Sequence, residues 1–107
     1  MKIKVKRKGK GDEIVDIFGI YWDKRANTLF LGIPNDNIGV FGYSADEAEI
    51  IDPNINFRTV YFTDNRLPAI LHWALVEKNL LDEVVNGNIE LKEEFLDIVR
   101  SENVIDW

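Results

Sequence analysis

The hydrophobic period of this sequence changes once along its length, and that change sets the fold class. Up to Thr63 the apolar residues alternate with polar ones in short runs, and from Arg66 onward they recur every third or fourth position. Alternation places side chains on opposite faces of a strand, whereas the 3.6-residue period lines one stripe of a helix. Strands first and helices last predict an α+β domain. It would have an antiparallel sheet of about five to six strands over residues 1–63 and two helices over 66–104 packed on one face. The 107 residues suffice for a single domain, 1–107.

Within the first region, residues 2–8 place Ile3 and Val5 on one face and Lys2, Lys4, Lys6 and Lys8 on the other. Residues 14–22 put Ile14, Phe18, Ile20 and Trp22 opposite Val15, Ile17 and Tyr21, the pattern of a central strand covered on both sides. Asp23 to Asn27 is a polar loop of hairpin length leading into a strand over Thr28 to Ile33. Pro34 to Asn37 is a turn cluster, followed by a short strand over Val40 to Tyr43. Residues 44–52 read two ways: Ser44, Ala45, Asp46 and Glu47 fit a capped helical turn, while Glu49 to Asp52 fits a strand, which is preferred. Phe57 to Thr63 alternates as the last strand.

In the second region, Leu67, Ile70, Leu71, Ala74, Leu75 and Leu81 form a helical stripe, with Pro68 in the first turn and Asn86-Gly87 as a stop. A second helix over about Ile89 to Glu102 buries Leu91, Phe95, Ile98 and Val99 and turns Glu90, Glu93, Glu94 and Asp97 outward.

Charge is split unevenly. Lys2, Lys4, Lys6, Arg7, Lys8 and Lys10 precede the first acid, Asp12, and all 19 acids follow, giving a net charge of −6. With 46% hydrophobic residues the chain can bury a core, which argues against disorder. The absence of cysteine excludes disulfides, thiolate metal sites and cysteine nucleophiles. The basic start has no apolar h-region behind it and no apolar run reaches the roughly 18 residues of a membrane span, so a cytoplasmic location is expected.

No catalytic motif accompanies this framework. His72 is the single histidine and has neither a H-E-x-x-H spacing nor a G-x-S-x-G elbow around Ser44. A Ser44, His72 and Asp64 triad would have to be recognised by geometry, and a histidine at the edge of a helix on the sheet is the simpler reading. Asn35, Asp36 and Asn37 before Gly39 lack the full calcium-loop spacing, and Gly9-Lys10-Gly11 lacks the rest of a phosphate loop. No metal, cofactor or enzymatic activity is expected.

The lysine alternation would track phosphates in a nucleic-acid regulator, but the acidic body favours the other use of such lysines, protection of an open sheet edge. The acids carry more weight. Asp46, Glu47, Glu49 and Asp52 cluster beside Tyr43, and complementary charge with an aromatic contact suits a basic protein partner. An acidic, cysteine-free α+β chain with Phe57-Arg58-Thr59-Val60-Tyr61-Phe62 leading to Leu71-His72-Trp73-Ala74-Leu75, then paired helices, resembles the immunity proteins of bacterial contact-dependent growth inhibition and related polymorphic toxin systems. That resemblance implies a non-catalytic inhibitor that occludes a cognate toxin domain with a basic surface, such as a nuclease. Tyr43, Asp46, Glu47, Glu49 and Asp52 are the first candidate contacts, and Glu93, Glu94 and Asp97 the second. The alternative is a small ligand-binding or enzymatic domain around Asp64, Arg66 and His72.

Overall fold

The computed structural model describes residues 1–7, 9, 11–37, 39–63 and 67–107. Seven strands, a 3-10 turn and three helices follow in order. They are β1 (Lys2–Arg7), β2 (Gly11–Trp22), β3 (Thr28–Pro34), β4 (Phe41–Ser44), the turn Ala45–Glu47, β5 (Ala48–Asp52), β6 (Thr59–Phe62), β7 (Ala69–His72), α1 (Trp73–Glu77), α2 (Leu81–Val85) and α3 (Ile89–Ser101). Every strand pairing is antiparallel, and the α+β class with helices after the sheet is as the sequence predicts.

The sheet is rolled, and the connection from β4 to β5 forces it. These strands end the order β4-β3-β2-β1-β5, which in a flat sheet would separate them by four spacings, about 19 Å. Ser44 and Ala48 are only four residues apart, a reach of at most about 14 Å and less through a 3-10 turn. The sheet therefore curls over a small core of Ile3, Val15, Ile17 and Phe30, onto which Tyr43 from one end strand and Ala48 from the other both pack. Residues 44–52 combine the two readings, a 3-10 turn without a side-chain cap from Ser44 and then the preferred strand.

Strand β2 is the spine. One edge pairs with β1 over Gly11–Asp16 and then with β7 over Gly19–Tyr21, while the other edge carries β3. Its register with β3 shifts between Ile17 and Gly19, a bulge that inserts one residue and reverses the facing of all that follow. Ile20 accordingly joins Ile17 and Val15 in the small core rather than Phe18, and Tyr21 goes with Phe18 to the helix side. That side is the larger core, where Phe18 meets Phe95 of α3 edge-on at 5.1 Å among Leu71, Leu75, Leu96 and Val99.

Three expectations change. The sheet does not end at Thr63: Ala69–His72 forms β7, with Ala69 and Leu71 buried and Ile70 half-buried on the other face. This short alternation is hidden in a run that also fits a helical stripe, and pairing to β2 decides it. The remaining residues make two five-residue helices because Asn79 takes a left-handed φ of 54° just after α1. Among the described residues there are thus three C-terminal helices. Strand β1, expected at an open edge, lies between β2 and β5, so its lysines do not protect an edge. Lys8 and Lys10, like Asp64 and Arg66, lie outside the described residues.

Candidate partner-binding surface

The corner formed by β4, the 3-10 turn and β5 carries the first group of predicted contacts. Asp46 and Glu47 are exposed on the turn, and neither has a partner among the described residues. Glu49 and Asp52 are differently employed. Glu49 is 3.2 Å from the Lys4 ammonium, which also lies 4.0 Å from Asp12, and Asp52 accepts the Asn54 backbone N–H at 3.0 Å. Two of the four acids are therefore absorbed by the fold. Lys2 is likewise paired, 3.6 Å from Asp106. The basic strand and the acidic strand are thus direct neighbours that neutralise each other in part.

The strands on either side of that turn carry exposed apolar groups. Ile50 and Ile51 on β5 are 50% and 45% exposed, and Phe41 on β4 is 41% exposed with its ring edge-on to Tyr43 at 6.4 Å. Ile51 owes its position to a bulge, since β1 pairs Ile3 with Ile50 but Lys2 with Asp52. The second group of predicted contacts is on α3, whose buried face carries Phe95, Leu96 and Val99. There Asp97 and Glu93 lie 3.4 and 3.8 Å from Arg100, and Glu94 is exposed. The two acidic groups belong to different elements.

His72 is fully buried at the junction of β7 and α1. Its Nδ1 accepts the Ala74 backbone N–H at 3.1 Å, which assigns the ring proton to Nε2, and Nε2 donates to a Glu102 carboxylate oxygen at 2.7 Å. The other oxygen of Glu102 accepts the Trp73 indole N–H at 2.8 Å. Phe57 and Phe95 lie 4.8 and 5.3 Å from the imidazole ring. Burial pushes the His72 pKa below its usual value, against the pull of Glu102. With both nitrogens engaged and no exposed surface, the ring is a cap and a tie between β7 and the end of α3. Among the described residues no group of three His, Cys, Asp or Glu could hold a metal ion. No described helix is long and apolar enough to cross a membrane.

A third feature had no sequence signal. An open groove of about 480 Å³ runs between α2 and the sheet, with Tyr21, Leu31, Phe62 and Leu71 on its floor and Leu81 and Val85 on the helix wall. Its residues come from five elements, so no local spacing could reveal it. The same holds for Glu102 beside His72 and for Trp107, whose indole donates to the buried Asp16 carboxylate at 2.6 Å. Trp107 is thus half-buried and tied to β2.

Compared with protein families, curated proteins and solved structures, the chain matches none.

Proposed function

We propose that this protein is a non-catalytic inhibitor of the immunity type, acting in the cytoplasm by binding a toxin domain with a basic surface and occluding its active site. The observation that carries the reading is the β4–β5 corner, where exposed Asp46 and Glu47, without a partner among the described residues, sit on a turn whose flanking strands carry exposed Phe41, Ile50 and Ile51. Apolar groups at the centre of a contact with a charged rim are the arrangement that supplies affinity and orientation together. Glu49, exposed but paired to Lys4, and Asp52, which caps a turn, are the less free members of the same acidic group. The α3 acids supply a second acidic surface.

Co-expression tests the proposal. A toxin domain encoded next to this chain should kill cells alone and spare them when this protein is made, and the two should co-purify as a stable complex. Equal killing with and without the protein would overturn the reading.

A further inference from the structure

We propose that the outer edge of β5 takes up, as an added strand, an extended segment of a protein partner in which basic and apolar residues alternate. The inference rests on the proposed docking of a basic partner at the β4–β5 corner and states how that partner is held. β5 ends the sheet: among the described residues it pairs with β1 alone. Its side chains are open to solvent, with Ile50 and Ile51 50% and 45% exposed and the Glu49 side chain 67% exposed. The five residues of β5 span about 17 Å, an ordinary strand length.

The ladder fixes which backbone groups that edge offers. The Met1 carbonyl accepts the Ile17 N–H at 2.9 Å, so from Met1 onward the odd-numbered residues bond to β2 and the even-numbered ones turn toward β5. Lys4 therefore bonds with Glu49, and Ile50, opposite Ile3, turns its own N–H and C=O away from β1. Ala48 points the same way, and its N–H closes the 3-10 turn on the Ala45 carbonyl. Both groups of Ile50 and the Ala48 carbonyl have no other partner among the described residues. Unpaired ladder groups of this kind accept a further strand, main chain to main chain.

Side chains choose the occupant. β1 already shows what suits β5: Lys4 stands opposite Glu49 with its ammonium 3.2 Å from the carboxylate, and Ile3 stands opposite Ile50. A second strand of that pattern would meet the same residues from the other side. Asp46 and Glu47, exposed and without a partner among the described residues, lie at the start of the edge for its remaining cations. A second copy of this chain is disfavoured by the same charges. Antiparallel pairing of two β5 edges would bring Asp46, Glu47, Glu49 and Asp52 of both copies alongside one another, and the bulge at Ile51 interrupts the register such a dimer would need.

Short peptides test this at about 150 mM salt, where long-range attraction is screened. The probe is Ac-KIKVKRK-NH2, the sequence of residues 2–8. Two relatives carry N-methyl groups on either the odd or the even backbone nitrogens, which keeps charge and side chains but blocks one edge of the peptide. The unmodified peptide should bind saturably, one per chain. Methylation of one set should weaken it about tenfold or more, and methylation of the other should leave it unchanged, because only one edge faces β5. Ile50→Pro removes the outward N–H where an edge strand tolerates proline, and should weaken the unmodified peptide about tenfold. If that variant loses its far-UV circular dichroism, hydrogen exchange of the Ile50 amide in the parent protein is read instead, and the peptide should slow it about tenfold or more. No saturable binding, equal affinity of all three peptides, equal loss in both methylated ones, or undiminished binding to folded Ile50→Pro would each overturn strand addition. So would an Ile50 amide whose exchange the peptide leaves unchanged, or a dimer of the protein that the peptide dissociates, since the edge would then belong to a second copy. Co-expression judges the toxin reading separately. Protected cells together with any of these failures would leave occlusion standing without an added strand, and edge-selective peptide binding without protection would overturn occlusion alone.

Discussion

His72 and Asp16 are the two buried ionisable side chains whose surroundings set opposite pH responses. Burial lowers the pKa of His72, so below about pH 6.5 the unfolded chain takes up a proton that the folded chain refuses. Its contribution to stability is present above that pH and is lost as pH falls toward the lower folded value. Protonating Nδ1 would also abolish the acceptor for the Ala74 N–H. His72→Leu should destabilise the fold by about 2–3 kcal/mol in urea unfolding at pH 7, since a buried N–H and a carboxylate lose their partners. It should also remove the loss of stability between about pH 6.5 and 5; a variant that keeps that slope would show that another group causes it. Asp16 behaves in reverse. Burial raises its pKa more than the Trp107 hydrogen bond and Lys2 lower it, so its ionised form opposes folding at neutral pH and the penalty lifts on acidification. Asp16→Asn keeps an oxygen for the indole N–H and removes the charge. It should be at least as stable as the parent at pH 7 in thermal melts and gain less on going to pH 5, whereas a loss above about 1 kcal/mol would mean that the carboxylate charge is needed.

The strands were legible where polar and apolar residues alternate, as in β1, and where a β-rich run lies between turn residues, as in β2 and β3. Strand β7 was not, because Ala69 to His72 and the helix after it are apolar at both periods and only the β2 edge at Gly19–Tyr21 distinguishes them. The bulge at Phe18 was equally silent: it is a relation between β2 and β3, and Gly19 alone does not announce it. Among candidate contacts, Asp46 and Glu47 could be read as exposed acids, but the pairing of Glu49 with Lys4 depends on β1 lying beside β5, which no local pattern states. The rolled sheet also makes a particular demand at Gly32 on β3. A Cβ there would approach the Asp16 carbonyl oxygen to 2.7 Å and Val15 Cγ1 to 2.6 Å, and the carbonyl belongs to the neighbouring strand's backbone and cannot rotate away. Gly32→Ala should therefore destabilise by about 1–3 kcal/mol, measured by urea titration with an unchanged m value. A neutral effect would mean that β2 and β3 separate more readily than their register implies.

Taken together, the charges form a partly cancelled basic strand inside an acidic surface, and this arrangement would govern how the molecule meets the proposed basic partner. The net charge of −6 attracts any basic protein from a distance, but Lys2 and Lys4 offset Asp106, Asp12 and Glu49 nearby. Two unpaired acids on a corner then contribute more to the local field than equally exposed acids held beside an ammonium, because opposite charges a few ångströms apart look nearly neutral beyond a Debye length of about 8–10 Å. This separates a specific corner from bulk acidity. The double substitution Asp46→Asn with Glu47→Gln should slow association with a basic partner by about 3–10-fold at low salt and flatten its salt dependence, leaving the melting temperature unchanged. The paired control Lys4→Gln with Glu49→Gln removes both charges of a neighbouring ion pair and should leave association nearly unchanged, since the pair is close to neutral at a distance. Stopped-flow association rates at two salt concentrations distinguish the cases: if removing the Lys4–Glu49 pair slows binding as much as the corner substitutions do, the β4–β5 corner has no special part in steering the partner.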